Sequence, residues 1–200
     1  MSNVLILNSG LNGAQSNSNK LTSLYENMRK THHLDDNYTV RDLNEQALPH
    51  LSQQEMGAWM TAPEDRTPEQ QTLARISDEL INEIKAHDTI VIGMPMYNMG
   101  IPSTFKAYID RIARAGVTFT YTENGPEGLV KNKRVIVLAA RGGQYQGTPF
   151  DTQTSYIKNI FGLIGITDVE FVYAEGLNMG EQVAEQAWQT ASEQLTATFN

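Results

Sequence analysis

At 200 residues, 40% apolar and 19% charged, the chain is long enough for one well-filled core, too short for two ordinary domains, and neither disordered nor membrane-like in composition. Its formal net charge of −8 argues against nucleic acid as a partner, since binding a polyanion requires a basic surface. The absence of cysteine excludes disulfides, thiolate nucleophiles and iron–sulfur clusters, so any redox work needs a bound cofactor.

No Pro/Gly/Ser-rich linker breaks the chain, and one domain over residues 1–200 is expected. No apolar run approaches the roughly 20 residues that span a bilayer, so no membrane partner is expected. The start, Met1-Ser2-Asn3 and then four apolar residues, lacks the basic and longer apolar regions of a signal peptide, so a cytoplasmic location is expected.

Residues 4–7 are the first predicted strand, and Leu21, Leu24, Tyr25 and Met28 make a helical stripe after it. Residues 38–43 interleave polar Thr39 and Arg41 with apolar neighbours, as an outer strand does. Leu73, Ile76, Leu80 and Ile84 mark a second helix, entered through Thr67-Pro68. The strand at 89–94 is followed by a stripe of Phe105, Tyr108, Ile109 and Ile112. The strand at 134–140 precedes Tyr156, Ile157, Ile160, Phe161 and Ile164, a helix that stops at Gly165. Residues 169–174, with Glu170, form the other outer strand, and Val183, Ala187, Ala191, Leu195 and Phe199 the last helix.

The strands at 4–7, 89–94 and 134–140 are nearly continuous in Val, Ile and Leu, as central strands covered on both faces are. Strands alternating with helices predict an α/β fold: a three-layer, doubly wound, five-stranded parallel sheet of flavodoxin-like order 2-1-3-4-5. Two stretches, 45–66 and 116–132, exceed ordinary connections and are expected to be functional or to carry small elements of their own.

Unusual loops follow the first, third and fourth strands, which are neighbours in that order, so all three should emerge at the carboxyl edge where such folds bind ligands. The first, SGLNGAQSNSN at 9–19, offers the hydroxyls of Ser16 and Ser18, the Asn17 amide and backbone N–H groups at a helix start. That is a phosphate cradle without Lys or Arg; an ordinary N-cap and turn accounts for the same residues. The second places Met94, Pro95, Met96, Tyr97, Asn98 and Met99 at a sheet edge where polar turn residues are usual, a surface suited to a flat heteroaromatic ring or to packing the next helix. The third, Ala140-Arg141-Gly142-Gly143, lets main chain approach a ligand and puts Arg141 charge nearby; a plain glycine turn is the alternative.

Neither G-x-G-x-x-G nor G-K-[ST] is present, which argues against a tightly held dinucleotide and a nucleotide triphosphatase. His32, His33, His50 and His87 have no metal-ligand spacing with carboxylates, and no serine sits in a G-x-S-x-G elbow. No metal site is expected. His32 and His33 are expected on a solvated loop, and Asp35-Asp36 in a turn.

The stretches PMYN at 95–98, ARAGVTFTYTENGPEGL at 113–129, RGG at 141–143 and GITDV at 165–169 closely resemble the bacterial FMN-dependent NADH-azoreductases, also described as quinone reductases, and the 113–129 run is specific to that group. The resemblance runs from Val4 into the last helix. It implies a flavodoxin-like homodimer with one FMN per subunit, NADH as hydride donor, and active sites completed by the partner. Carried over by position, Gly10, Ser16, Asn17 and Ser18 would hold the phosphate. Met96, Tyr97, Asn98 and Met99 would line the isoalloxazine, and Ala140, Arg141, Gly142 and Gly143 its pyrimidine side. Gly10 and Ala140 stand where the family commonly has serine, which removes two hydroxyls and about 1 kcal/mol of FMN affinity per lost hydrogen bond. Tyr145 falls where some relatives have histidine, which bears on acceptor preference.

The resemblance implies an FMN-dependent NADH:quinone oxidoreductase that also cleaves aromatic azo compounds to amines, by ping-pong hydride transfer through flavin N5. The flavin carries the chemistry and no side chain is assigned as an acid–base catalyst. Tyr121, with Phe119 beside it, is expected to wall the acceptor site, packing within a small hairpin being the other reading. The main rival function is a non-enzymatic, flavodoxin-type electron carrier, which would leave the ring edge open. A phosphodiester hydrolase is weaker, for want of a metal cluster or nucleophile.

Overall fold

Seven strands and six α-helices organise residues 1–199, the part of the chain that the computed structural model describes. In chain order the strands are β1 (Asn3–Asn8), β2 (Asn37–Asp42), β3 (Thr89–Pro95), β4 (Phe119–Thr122), β5 (Gly125–Gly128), β6 (Arg134–Ala140) and β7 (Asp168–Ala174). Five make a parallel sheet of order β2-β1-β3-β6-β7, while β4 and β5 pair antiparallel as a separate hairpin. With the hairpin set aside, this is the expected 2-1-3-4-5 order.

The helices are α1 (Asn17–His32), α2 (Gln53–Met60), α3 (Pro68–Ala86), α4 (Ser103–Ile112), α5 (Thr152–Ile164) and α6 (Glu181–Ala197). Strand periodicity sorts the core into two layers. Val4, Ile6, Val91, Ile136 and Leu138 pack with Leu21 and Tyr25 of α1 and Leu195 of α6. Leu5, Leu7, Ile90, Ile92, Val135 and Val137 face Leu80 and Ile84 of α3, Phe105 and Tyr108 of α4, and Ile157 and Phe161 of α5. Every residue of β3 is buried, which explains its unbroken apolar run; β2, at the edge, has none.

Caps fix the helix ends. Thr67 and Gln70 form a reciprocal capping box ahead of α3, and Gly165, with φ of 104°, ends α5 in the left-handed conformation. The first turn of α1 lies directly on β3, because a Cβ at Gly93 would come within 2.8 Å of Thr22 and 2.9 Å of the Ser18 carbonyl. In register, Asn8 stands opposite Gly93 and Pro95 opposite Ala140, so the loops after β1, β3 and β6 leave from one edge.

Several expectations change. The 45–66 stretch holds α2, capped by Ser52, which accepts the Glu55 N–H. Besides buried Ala58, it is held by two arginines: Arg111 of α4 makes two 2.6 Å bonds to Glu55, and Arg114 donates to the Trp59 carbonyl at 3.2 Å while pairing with Asp78 of α3 at 2.5 Å. His32 ends α1 and His33 caps it instead of lying on a loop, and the His32 ring packs 5.3 Å from Phe199. Phe199 itself lies beyond α6 and makes an edge contact with Tyr25. No helix among the described residues is long and apolar enough to cross a membrane.

Candidate functional site

At the carboxyl edge the three loops meet in a cleft of about 240 Å³, walled by Ser16, Asn17 and Ser18, by Met96 and Tyr97, and by Ala140, Arg141 and Gly142. A second cleft of about 380 Å³ continues it past Met96 and Gly142 to Asn98, Met99, Gly143 and Tyr145. Asn178, from the loop after β7, borders both.

The first loop is organised by a residue that carried no signal of its own. Asn19 accepts the Gly10 N–H at 3.2 Å and donates to the Gly13 carbonyl at 3.0 Å, which folds the loop over the start of α1. Ser16, the N-cap of α1, accepts the Asn12 N–H at 3.0 Å and keeps its own proton available. The first-turn N–H groups of α1 stand at the positive end of a 16-residue helix, a fitting place for a phosphate. Gly10 lies behind Ser16 and off the cleft wall: a Cβ there would come within 2.5 Å of the Ser16 side chain and 2.8 Å of Asn19. The serine hydroxyl expected to be missing at this position therefore has no space to occupy, and the Gly10 N–H is already engaged by Asn19.

The second loop is a tight turn. Tyr97 and Gly100 exchange backbone bonds of 3.0 and 2.9 Å, and Asn98 and Met99 between them have φ of 47° and 63°. For Met99 this left-handed conformation costs about 1–3 kcal/mol, a strain that persists only where the surroundings impose it. They do so here. The Tyr97 hydroxyl accepts the Leu11 N–H at 3.1 Å, which ties the second loop to the first. Thr152 donates to the Met99 carbonyl, and Gln153 donates to the carbonyls of Pro95 at 2.9 Å and Gly100 at 3.1 Å.

Arg141 corrects the expectation of positive charge at the ligand. Its guanidinium turns inward, fully buried, and meets Asp151 and Glu175, each at 2.9 Å, and the Gln153 carbonyl oxygen at 3.1 Å. The Tyr173 ring lies beneath it at 5.1 Å. Burial alone would raise the Asp151 pKa, but hydrogen bonds from Thr154 and Arg141 outweigh it and hold the carboxyl below the usual range. Glu175 also accepts the N–H groups of Tyr145 and Gln146, both at 3.0 Å. The loop after β7 joins in through Leu177 N–H to Arg141 O and Asn178 N–H to Gly142 O.

Tyr121 lines neither cleft; it stands on the hairpin, 75% exposed, in edge contact with Phe119. Phe119 is buried in the hairpin and borders a different, largely apolar groove of about 740 Å³ with Met56, Trp59, Ile109 and Ile160. A further groove of about 480 Å³ lies between β7 and α6, lined by Tyr173, Glu175 and glutamines of α6, and none of the three loops after β1, β3 and β6 brings its glycines, methionines or serines to it.

These residues fit FMN. The phosphate end has neutral donors and a helix terminus, and the ring end has a thioether and an aromatic on one turn. Gly142 and Gly143 keep the opposite wall low, since a Cβ at either would come within 3 Å of Asn178 or of the Tyr145 ring. The sequence missed Asn19, Gln153, Glu175 and Asn178. They are polar residues whose roles lie in their partners: Asn19 bonds within the first loop, to Gly10 and Gly13, while Gln153 and Glu175 bond to Arg141 and Asn178 to Gly142 across other loops, and a sequence shows none of these pairings.

The family model for a flavodoxin-like fold matches residues 2–199. The chain is 53% identical over 197 residues to the FMN-dependent NADH:quinone oxidoreductase of Pseudoalteromonas atlantica, covering 98% of this chain and 96% of that protein. Among solved structures it resembles an azoreductase from Bacillus anthracis, with 30% identity, a TM-score of 0.91, and coverage of 100% of this chain and 99% of that one. It also resembles an FMN-dependent NADH-azoreductase from Bacillus anthracis in complex with FMN, with 27% identity, a TM-score of 0.86, and coverage of 99% and 100%.

Proposed function

The chain belongs to the flavodoxin-like family of FMN-dependent NADH:quinone oxidoreductases, and on that premise we propose that it moves hydride from NADH to quinones in ping-pong order. Aromatic azo compounds are cleaved to amines at the same site, in successive cycles. Bound FMN supplies the redox chemistry through its N5, and the protein supplies position and polarity.

The observation that carries this reading is the meeting of three loops, from residues 9–18, 95–100 and 140–145, in one continuous cleft. In it the N–H groups at the start of α1, with Ser16, Asn17 and Ser18, would hold the phosphate, the turn at Met96, Tyr97, Asn98 and Met99 would hold the ring, and Ala140, the Arg141 main chain, Gly142 and Gly143 would meet its pyrimidine side. Tyr145 borders the acceptor's place. The homodimer that the family resemblance implies, with each active site completed by the partner, would give Tyr121, exposed and away from its own cleft, an acceptor site to wall.

The test is anaerobic. FMN-loaded protein mixed with NADH should lose its yellow absorbance within the mixing time, and menadione should restore it. Initial rates at varied NADH and menadione should give parallel double-reciprocal lines. Protein that binds FMN but leaves NADH unoxidised would be an electron carrier, contrary to this reading.

A further inference from the structure

Gln153 is a buried glutamine in the first turn of α5, next to the flavin-side turn but not on the cleft wall. Its amide nitrogen donates to the carbonyls of Pro95, at 2.9 Å, and Gly100, at 3.1 Å, so one side chain holds both ends of the turn that contains the left-handed Asn98 and Met99. Its amide oxygen accepts from Arg141 Nε at 3.1 Å, in the loop on the opposite side of the cleft. Chemistry fixes the amide's orientation. Flipped, its oxygen would face two carbonyls and its NH2 would face a guanidinium, with acceptor against acceptor and donor against donor. Arg141 is held in turn by Asp151 and Glu175, so the amide cannot drift with its partner.

We infer that Gln153 is a positioning residue for the cofactor: by clasping both ends of the strained turn and anchoring it to Arg141, it sets the spacing between the two loops that face the ring. The inference rests on the reading of the cleft as an FMN site. It assigns no bond from Gln153 to FMN. The influence runs through the turn, whose backbone conformation relaxes when the two carbonyls lose their common donor.

The experiment compares wild type with Gln153→Met and Gln153→Glu. Methionine removes all three bonds at similar volume. Glutamate keeps the acceptor for Arg141 but loses the donor to the carbonyls, and it is close enough in shape to fold if methionine is not. FMN is titrated into each apoprotein by quenching of FMN fluorescence, and amide hydrogen exchange is followed by mass spectrometry without FMN. Both variants should bind FMN about tenfold more weakly, with exchange at residues 97–100 at least tenfold faster and exchange in β1, β3 and β6 unchanged. Wild-type affinity in the folded variants overturns the inference alone, and so does weakened binding with unaltered exchange at 97–100. Failure of the wild type itself to bind FMN overturns the reading of the cleft and this inference with it.

Discussion

Arg111 and Arg141 are both fully buried, and their surroundings differ in a way that separates holding a structure together from shaping a site. Arg111 faces one carboxylate, Glu55, through two short bonds, and the pair fastens one element, α2, to another, α4. Arg141 divides its donors among Asp151, Glu175 and Gln153, which lead to the start of α5, to the Tyr145 loop and to the turn at 95–100. The first arrangement balances charge and fixes a single contact. The second sets one positive charge against two carboxylates beneath the cleft, so the Arg141 guanidinium is spent on the protein's own loops and is not offered to a ligand.

That contrast breaks if removing either partner set has the same consequence. Glu55→Ala leaves the Arg111 guanidinium buried and unpaired, and should cost about 3–5 kcal/mol in urea unfolding while FMN affinity of the folded protein stays within about twofold of wild type. Arg141→Lys keeps a charge but cannot fork to three acceptors. It should cost about 2 kcal/mol and weaken FMN binding as well, read by the same unfolding curves and by fluorescence titration. Equal FMN affinity in the two variants would erase the distinction.

Gly10→Ser sharpens the comparison at the other wall of the cleft. If the position merely lacked a hydroxyl, serine would tighten FMN binding. The crowding by Ser16 and Asn19 predicts the reverse, a loss of about 1–3 kcal/mol in stability with no gain in affinity. The smallest expected effect is at acid pH. Asp151 has a lowered carboxyl pKa in the folded protein, so its contribution is fully present above the ordinary carboxylate range near pH 4 and is lost as pH falls through the folded value. Asp151→Asn should therefore lose less stability than wild type between pH 5 and about pH 3, measured as urea midpoints across that range.

The parallel sheet was legible because its central strands, buried on both faces, are written as unbroken apolar runs, and the edge strands as interrupted ones. The loops of the cleft were legible because odd residues fell after neighbouring strands. What could not be read was direction and partnership. Arg141 beside two glycines looked like charge offered to a ligand, and nothing in that segment shows that Glu175, 34 residues on, turns it inward. Helix α2 buries only Glu55 and Ala58, so it has almost no apolar stripe, and its anchor lies 56 residues away on α4. Gly10 resembled a lost contact because a sequence shows which atoms are missing and not which neighbour fills their space. Tyr121 belonged to the expected hairpin, but one chain's own fold gives its ring no cleft to border.

The convergence of the three loops on a single ligand is tested most directly by residue-resolved amide NMR of the apoprotein during FMN addition. Shifts should concentrate at residues 11–18, 96–100, 140–145 and 177–178, saturating at one FMN per chain. Shifts confined to the groove between β7 and α6, or to one of the three loops alone, would contradict the account.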